Sequence, residues 1–151
     1  MKKNLLNEEA AGKMIARVQM LRPDSPALWG TMTATEMLLH CNQIHERLLS
    51  PATTTAKKAS LKQYAIRWVV LYVMPRFPKG VKAPKQVRTK GAISDAEFEK
   101  QQALFAAIVQ RFPLHTSPIN HPHPYFGNLN SKQWGLAAWK HLDHHLRQFG
   151  V

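Results

Sequence analysis

The chain has 151 residues, 44% of them hydrophobic and 20% charged. That fits one ordinary globular domain, residues 1–151, whose core needs no covalent staple. One cysteine, Cys41, excludes an internal disulfide, and the formal net charge of +12 directs attention to anionic partners.

The first residues, MKKNLLNEEAAGK, reach Glu8 and Glu9 before any apolar run develops, so they do not read as a signal peptide. With the lone cysteine, this sets the expectation of a cytoplasmic protein. Helical periodicity runs from Asn4 to Leu21 and stops at Arg22-Pro23. After the loop RPDSPALWGTM, Thr33 and Glu36 form a capping-box pattern that opens a second helix, ending near Leu49. A third helical segment is expected from near Lys57 through YAIRWVVLYVM to Pro75. Its apolar residues nearly encircle the helix, which predicts a central place in the core. Its most apolar run, Trp68 to Met74, is far shorter than the roughly 20 residues of a membrane span, and no membrane partner is expected.

The loop PRFPKGVKAPKQVRTKG follows, long enough to act as a flap. Ser94 and Glu97 repeat the capping-box pattern before a fourth helix that ends near Phe112-Pro113. A second long loop, LHTSPINHPHPYFGNLN, leads to Asn130 and Gln133, which cap a last helix reaching Gly150. No run of paired strands is evident. The expectation is an all-α fold, a bundle of about five helices with two long loops.

Three histidines crowd the last helix, in KHLDHHLRQFG. On a helical wheel centred on Leu142, His145 lies about 60° from the apolar stripe's centre and His141 about 100° to the same side. His144 lies at about 200°, on the polar face with Lys140 and Arg147. His141 and His145 therefore share one edge at a spacing of four, which lets two imidazoles converge on one ion. On the second helix His40 lies about 40° from the centre of the stripe of Met37, Cys41, Ile44 and Leu48. An imidazole there must find a partner or incur a desolvation cost of roughly 1–3 kcal/mol. A metal shared with His141 and His145 supplies one. His45 lies on the opposite side and is left out of the set. Cys41 reads as a small buried hydrophobe. Glu36, one turn before His40, either orients that imidazole or only caps the helix. His123, in HPYFG, is the loop histidine nearest the site in sequence. Glu36 and His123 are the two candidates for a catalytic proton-transfer role.

The charge has a local source: no acidic residue stands between Glu46 and Asp95. That stretch carries Lys57, Lys58, Lys62, Arg67, Arg76, Lys79, Lys82, Lys85, Arg88 and Lys90. Such a segment attracts phosphate or other anions over a long range. The alternative reading of the chain is thus a non-enzymatic module that binds nucleic acid or an acidic partner through residues 57–90. It is not favoured, because no RNA-recognition, helix-turn-helix or zinc-finger pattern accompanies the charge.

The histidine of the second helix, LWGTMT (Leu28 to Thr33), HPYFG (His123 to Gly127) and HLDHHLRQFG (His141 to Gly150) together resemble the DinB-like (YfiT-like) superfamily of metal-dependent enzymes. The resemblance covers nearly the whole chain, and the terminal motif is its specific part. It implies a four-helix-bundle core with one divalent ion held by His40, His141 and His145, in agreement with the wheel. It also implies a homodimer and chemistry drawn from a range: thiol transferases using low-molecular-weight thiols, a thiol-dependent isomerase, and hydrolases. Imidazole ligands suit zinc or nickel first, with iron and copper as alternatives. Three neutral imidazoles leave a coordination position open, as in catalytic sites. An ion there lowers the pKa of water to about 7 or holds a thiol as thiolate. The expected function is a metal-dependent hydrolase or thiol transferase acting on a small electrophile, drawn in by the basic loop if anionic.

Overall fold

Four of the five helices begin where a polar side chain meets amides that the first turn leaves open. The computed structural model describes residues 3–52, 58–81 and 88–151. Its helices in chain order are α1 (Glu8–Gln19), α2 (Ala34–Leu49), α3 (Leu61–Trp68), α4 (Phe98–Arg111) and α5 (Ser131–Gln148). The Asn7 side chain caps α1. Thr33 with Glu36, Ser60 with Gln63 and Asn130 with Gln133 form reciprocal capping boxes at α2, α3 and α5. The box expected at Ser94 does not form. Ser94 Oγ accepts from the Ala96 amide, a 3-10 turn occupies Asp95–Glu97, and the Glu97 carboxylate pairs with Lys100 instead. Helix α4 consequently starts at the buried Phe98.

Helices α1 and α2 each pack against both α4 and α5, closing a four-helix bundle around one core. The least exposed large side chains, among them Met14, Met37, Phe105, Phe112, Leu142 and Leu146, come from all four. Asp143 on α5 locks two ends together, because its carboxylate oxygens accept from Arg17 Nη1 and Arg147 Nε, both at 2.9 Å.

The third segment departs from the sequence reading in length and place. The α-helix covers only Leu61–Trp68, none of it buried, and a π-turn occupies Val69–Val73. Its expected start near Lys57 lies outside the described residues. With four helices already filling the core, this element lies along the outside of the bundle. Only Leu71 is buried, with Ile66 and Val70 packed against the core. Lys140 of α5 holds it there: its ammonium donates to the carbonyls of Val70 (2.7 Å) and Met74 (2.6 Å), which no longer find helical amides. Lys140 is thus buried rather than on a solvated polar face. The one sheet among the described residues is the hairpin of β1 (Pro122–His123) and β2 (Gly127–Asn128). No helix among the described residues is long and apolar enough to cross a membrane.

Gly135, inside α5, is where the N-terminal segment crosses the bundle. Leu5 N donates to Gly135 O at 3.0 Å, and a Cβ at Gly135 would sit 2.0 Å from Asn4 Oδ1 and 2.9 Å from Leu6 Cγ. Asn4 Oδ1 also accepts from the Leu6 amide, so it cannot move without breaking that bond. The clash outweighs the helix propensity that alanine would add. Gly135→Ala should therefore lower unfolding free energy by about 1–2 kcal/mol in denaturant titration. An unchanged or raised midpoint would contradict this crossing.

Candidate metal centre

The packing of α2 on α5 brings His40, His141 and His145 together. One ring nitrogen of each lies within 4.8 Å of the others, and this is the metal-capable cluster found among the described residues. The ring centroids are 5.2 Å apart for His40 and His141, 4.9 Å for His40 and His145, and 4.7 Å for His141 and His145. His40 Nε2 and His141 Nε2 are 3.2 Å apart. His40 and His145 are buried, while His141 is partly exposed and forms the accessible edge. The wheel's selection of these three side chains is thus what the fold brings to one place.

A network beyond the three rings fixes the tautomer of one. His145 Nδ1 lies 2.9 Å from Gln148 Oε1, and an amide oxygen can only accept, so the proton is on Nδ1 and the lone pair on Nε2. The Gln148 amide nitrogen in turn donates to Trp29 O at 2.8 Å, which settles the orientation of the amide. The Gln148 carbonyl accepts from the Leu28 amide at 2.7 Å. Gly30 lets the loop come this close: its φ is +81°, and a Cβ there would meet Gln148 Nε2 at 2.7 Å. The LWG and HLRQFG segments therefore touch because one glutamine joins them.

Burial first, then repulsion from neighbouring imidazoles, favours the neutral form of His145 and His141. His145 is pushed down to about 3 by burial and by the nearby His40, and His141 is lowered well below the ordinary range by burial and by His145. Imidazoles must be neutral to offer a lone pair to a divalent ion, so the low pKa of His145 and His141 suits that use.

Two histidines outside the set have surroundings that the wheel does not give, and one of them departs from its expected place. His45, left out on the wheel, is buried with its ring centroid 5.1 Å from that of His141. Its Nδ1 donates to Cys41 O at 2.6 Å, whereas its Nε2 has no hydrogen-bond partner. The buried Nδ1 of His141 has none either. His144, expected in solvent, is half-buried, edge-on to the Trp29 ring with centroids 5.6 Å apart. The loop after the π-turn, which reaches Trp29 through Lys79, covers the face that the wheel leaves open. No signal within either helix marks these contacts, because both come from loop placement and helix packing.

The two proton-transfer candidates have local structural roles. The Glu36 carboxylate accepts from the Thr33 amide at 2.9 Å and from the Gly91 amide, and Glu36 O accepts from Thr89 Oγ at 2.7 Å. It caps α2 and ties the long loop to it. His123 Nδ1 accepts from the amides of Tyr125 (3.1 Å) and Phe126 (3.2 Å), and the ring stacks on Phe126. Burial lowers His123 to about 4, so it stands as a neutral acceptor inside its own turn. Cys41 is fully buried beside Met37 Sδ, and burial raises its thiol far above the ordinary range. Lys57, Lys82 and Lys85 of the basic segment lie outside the described residues.

Residues 1–150 match the model of a family described as a protein of unknown function (DUF1569), and the chain belongs to that family. No curated protein and no solved structure matches the chain.

The buried histidines make stability depend on pH. His45 is pushed down to about 4, first by burial, so the unfolded chain takes up a proton that the fold refuses. Stability is full above the ordinary histidine pKa of about 6.5 and falls as pH drops toward the folded value. For this one group the loss between pH 7 and pH 5 is about 2 kcal/mol. Denaturant titrations of metal-free protein should show that loss, and His45→Leu should flatten the dependence by a similar amount. A pH response equal in the two proteins would exclude His45 as its source.

Proposed function

We propose that His40, His141 and His145 hold one divalent metal ion, and that the chain is a metal-dependent enzyme, a hydrolase or thiol transferase acting on a small electrophile. The observation that carries this reading is the convergence of three buried or half-buried imidazole nitrogens within 4.8 Å, from two helices far apart in sequence. Zinc or nickel suits three imidazoles, with iron or copper as alternatives. When bound, such an ion supplies an acidified water or a thiolate at neutral pH, and it polarises a carbonyl or similar group. A DinB-like relationship belongs to the same proposal, and the bundle with its histidine set supports it.

The chain's own residues do the rest. His145 presents Nε2 because Gln148 and Trp29 O hold its other nitrogen. His40, at the core-facing edge, keeps one side of the site dry. His141, the partly exposed member, marks the side from which a substrate arrives. Positive charge in the adjoining loop, including Lys79 over the Trp29 ring, favours an anionic substrate or a thiol cofactor bearing carboxylates.

Protein purified without a histidine tag should carry one ion per chain in elemental analysis, and His145→Ala should abolish stoichiometric uptake. One ion per chain in that variant would refute the ligand set. Gln148→Leu keeps all three ligands but releases the ring, and should weaken metal affinity about 10–100-fold in competition with a chelator. Turnover of thiol-dependent or ester substrates should disappear with chelator and return with metal. Activity indifferent to chelator would refute the enzymatic reading.

A further inference from the structure

The outer element of the fold carries its apolar side toward solvent. Along α3, Leu61, Tyr64 and Trp68 share one face at helical spacing. The wider π-turn then returns Val69, Tyr72 and Val73 to the same face. All six are exposed, Leu61 at 89% and Trp68 at 61%. The opposite face is the one packed on the bundle, through Ile66, Val70 and Leu71. Lys140 fixes this orientation from beneath through the carbonyls of Val70 and Met74. A continuous exposed apolar stripe of this length marks an interaction surface.

The charge around the stripe identifies what it meets. Lys58 and Lys62 flank its start and Arg76 its end, all exposed. Beside Tyr72 opens a groove lined by Lys3, Asn4, Asn130, Lys132, Gln133 and Leu136, with two lysines and no carboxylate. The chain itself has no acidic residue from 47 to 94. A second copy docked by a two-fold axis would set these cations against their own images. A nucleic-acid strand would use aromatic faces, but Arg67 already lies 4.3 Å over the Tyr64 ring, and Leu61, Val69 and Val73 offer a base nothing to stack on. Aliphatic side chains that enter an acyl layer, aromatic rings at its boundary and lysines at headgroup level match an anionic bilayer surface.

We infer that the stripe from Leu61 to Val73 docks the protein on the surface of anionic phospholipid membranes, with the flanking lysines on the lipid phosphates. Peripheral docking needs no spanning helix, so the shortness of the apolar run does not bear on it. The inference does not depend on the metal site.

The test is flotation of the full-length protein with vesicles of phosphatidylcholine mixed with phosphatidylglycerol, against phosphatidylcholine alone, with tryptophan emission followed in parallel. Binding is expected only to the anionic vesicles, weakened by salt and accompanied by a blue shift from Trp68. The combined variant Leu61→Ser, Trp68→Ser, Val73→Ser should bind at least about tenfold more weakly. Its metal uptake and helical circular dichroism should be unchanged. Lys58→Glu with Lys62→Glu gives an independent reading at exposed positions and should also weaken binding. The inference is overturned by failure to bind anionic vesicles, or by binding that both variants retain. It is overturned equally if vesicles are ignored while the triple variant abolishes self-association or oligonucleotide binding.

Discussion

Three imidazoles in one buried volume constrain everything around them. Taking an imidazole out of water without a hydrogen-bond partner costs roughly 1–3 kcal/mol, and protonating several side by side adds mutual repulsion. Burial favours the neutral form of His141 and His145, and hydrogen bonds assign the nitrogens of His145 and of the neighbouring His45. His145 donates from Nδ1 to Gln148 Oε1, which leaves the lone pair on Nε2, and His45 donates from Nδ1 to the Cys41 carbonyl. A cation placed among them turns an electrostatic liability into a binding site.

The bundle gives this arrangement its rigidity. Helix α2 packs on α5, and α1 and α4 complete the bundle, α1 against α5 and α4 against α2. Asp143, between Arg17 and Arg147, pins the C-terminal end of α5 within one turn of His145. Gln148, in that same turn, links the ring to the Trp29–Gly30 loop. A side chain that must point within a narrow angle is thus held by its helix, by a loop and by the chain terminus together.

Much of this was legible in the sequence, for reasons that differ by element. The all-α class, the inward edge shared by His141 and His145 and the stripe position of His40 follow from helical periodicity, and the caps at Thr33 and Asn130 from residue types at fixed spacing; all are local properties. The inward placement of segment 57–75 did not follow, because an apolar stripe reads alike whether it faces a core or an external surface. Four helices had already filled the interior, and only the count of available faces reveals that. The half-burial of His144 and the surroundings of His45 do not follow for the same kind of reason: a wheel gives angles about one axis and says nothing of which neighbour covers each angle. The contact of Gln148 with His145 has a weaker mark in the sequence, only that a glutamine one turn on can reach back to an imidazole.

The most direct test of the central claim is X-ray absorption at the metal edge of protein purified without a histidine tag. The expected spectrum shows a first shell with three imidazole nitrogens at about 2.0–2.1 Å, as for zinc, and no sulfur contribution from Cys41. A shell of sulfur or of oxygen alone would contradict it, as would a metal content well below one ion per chain.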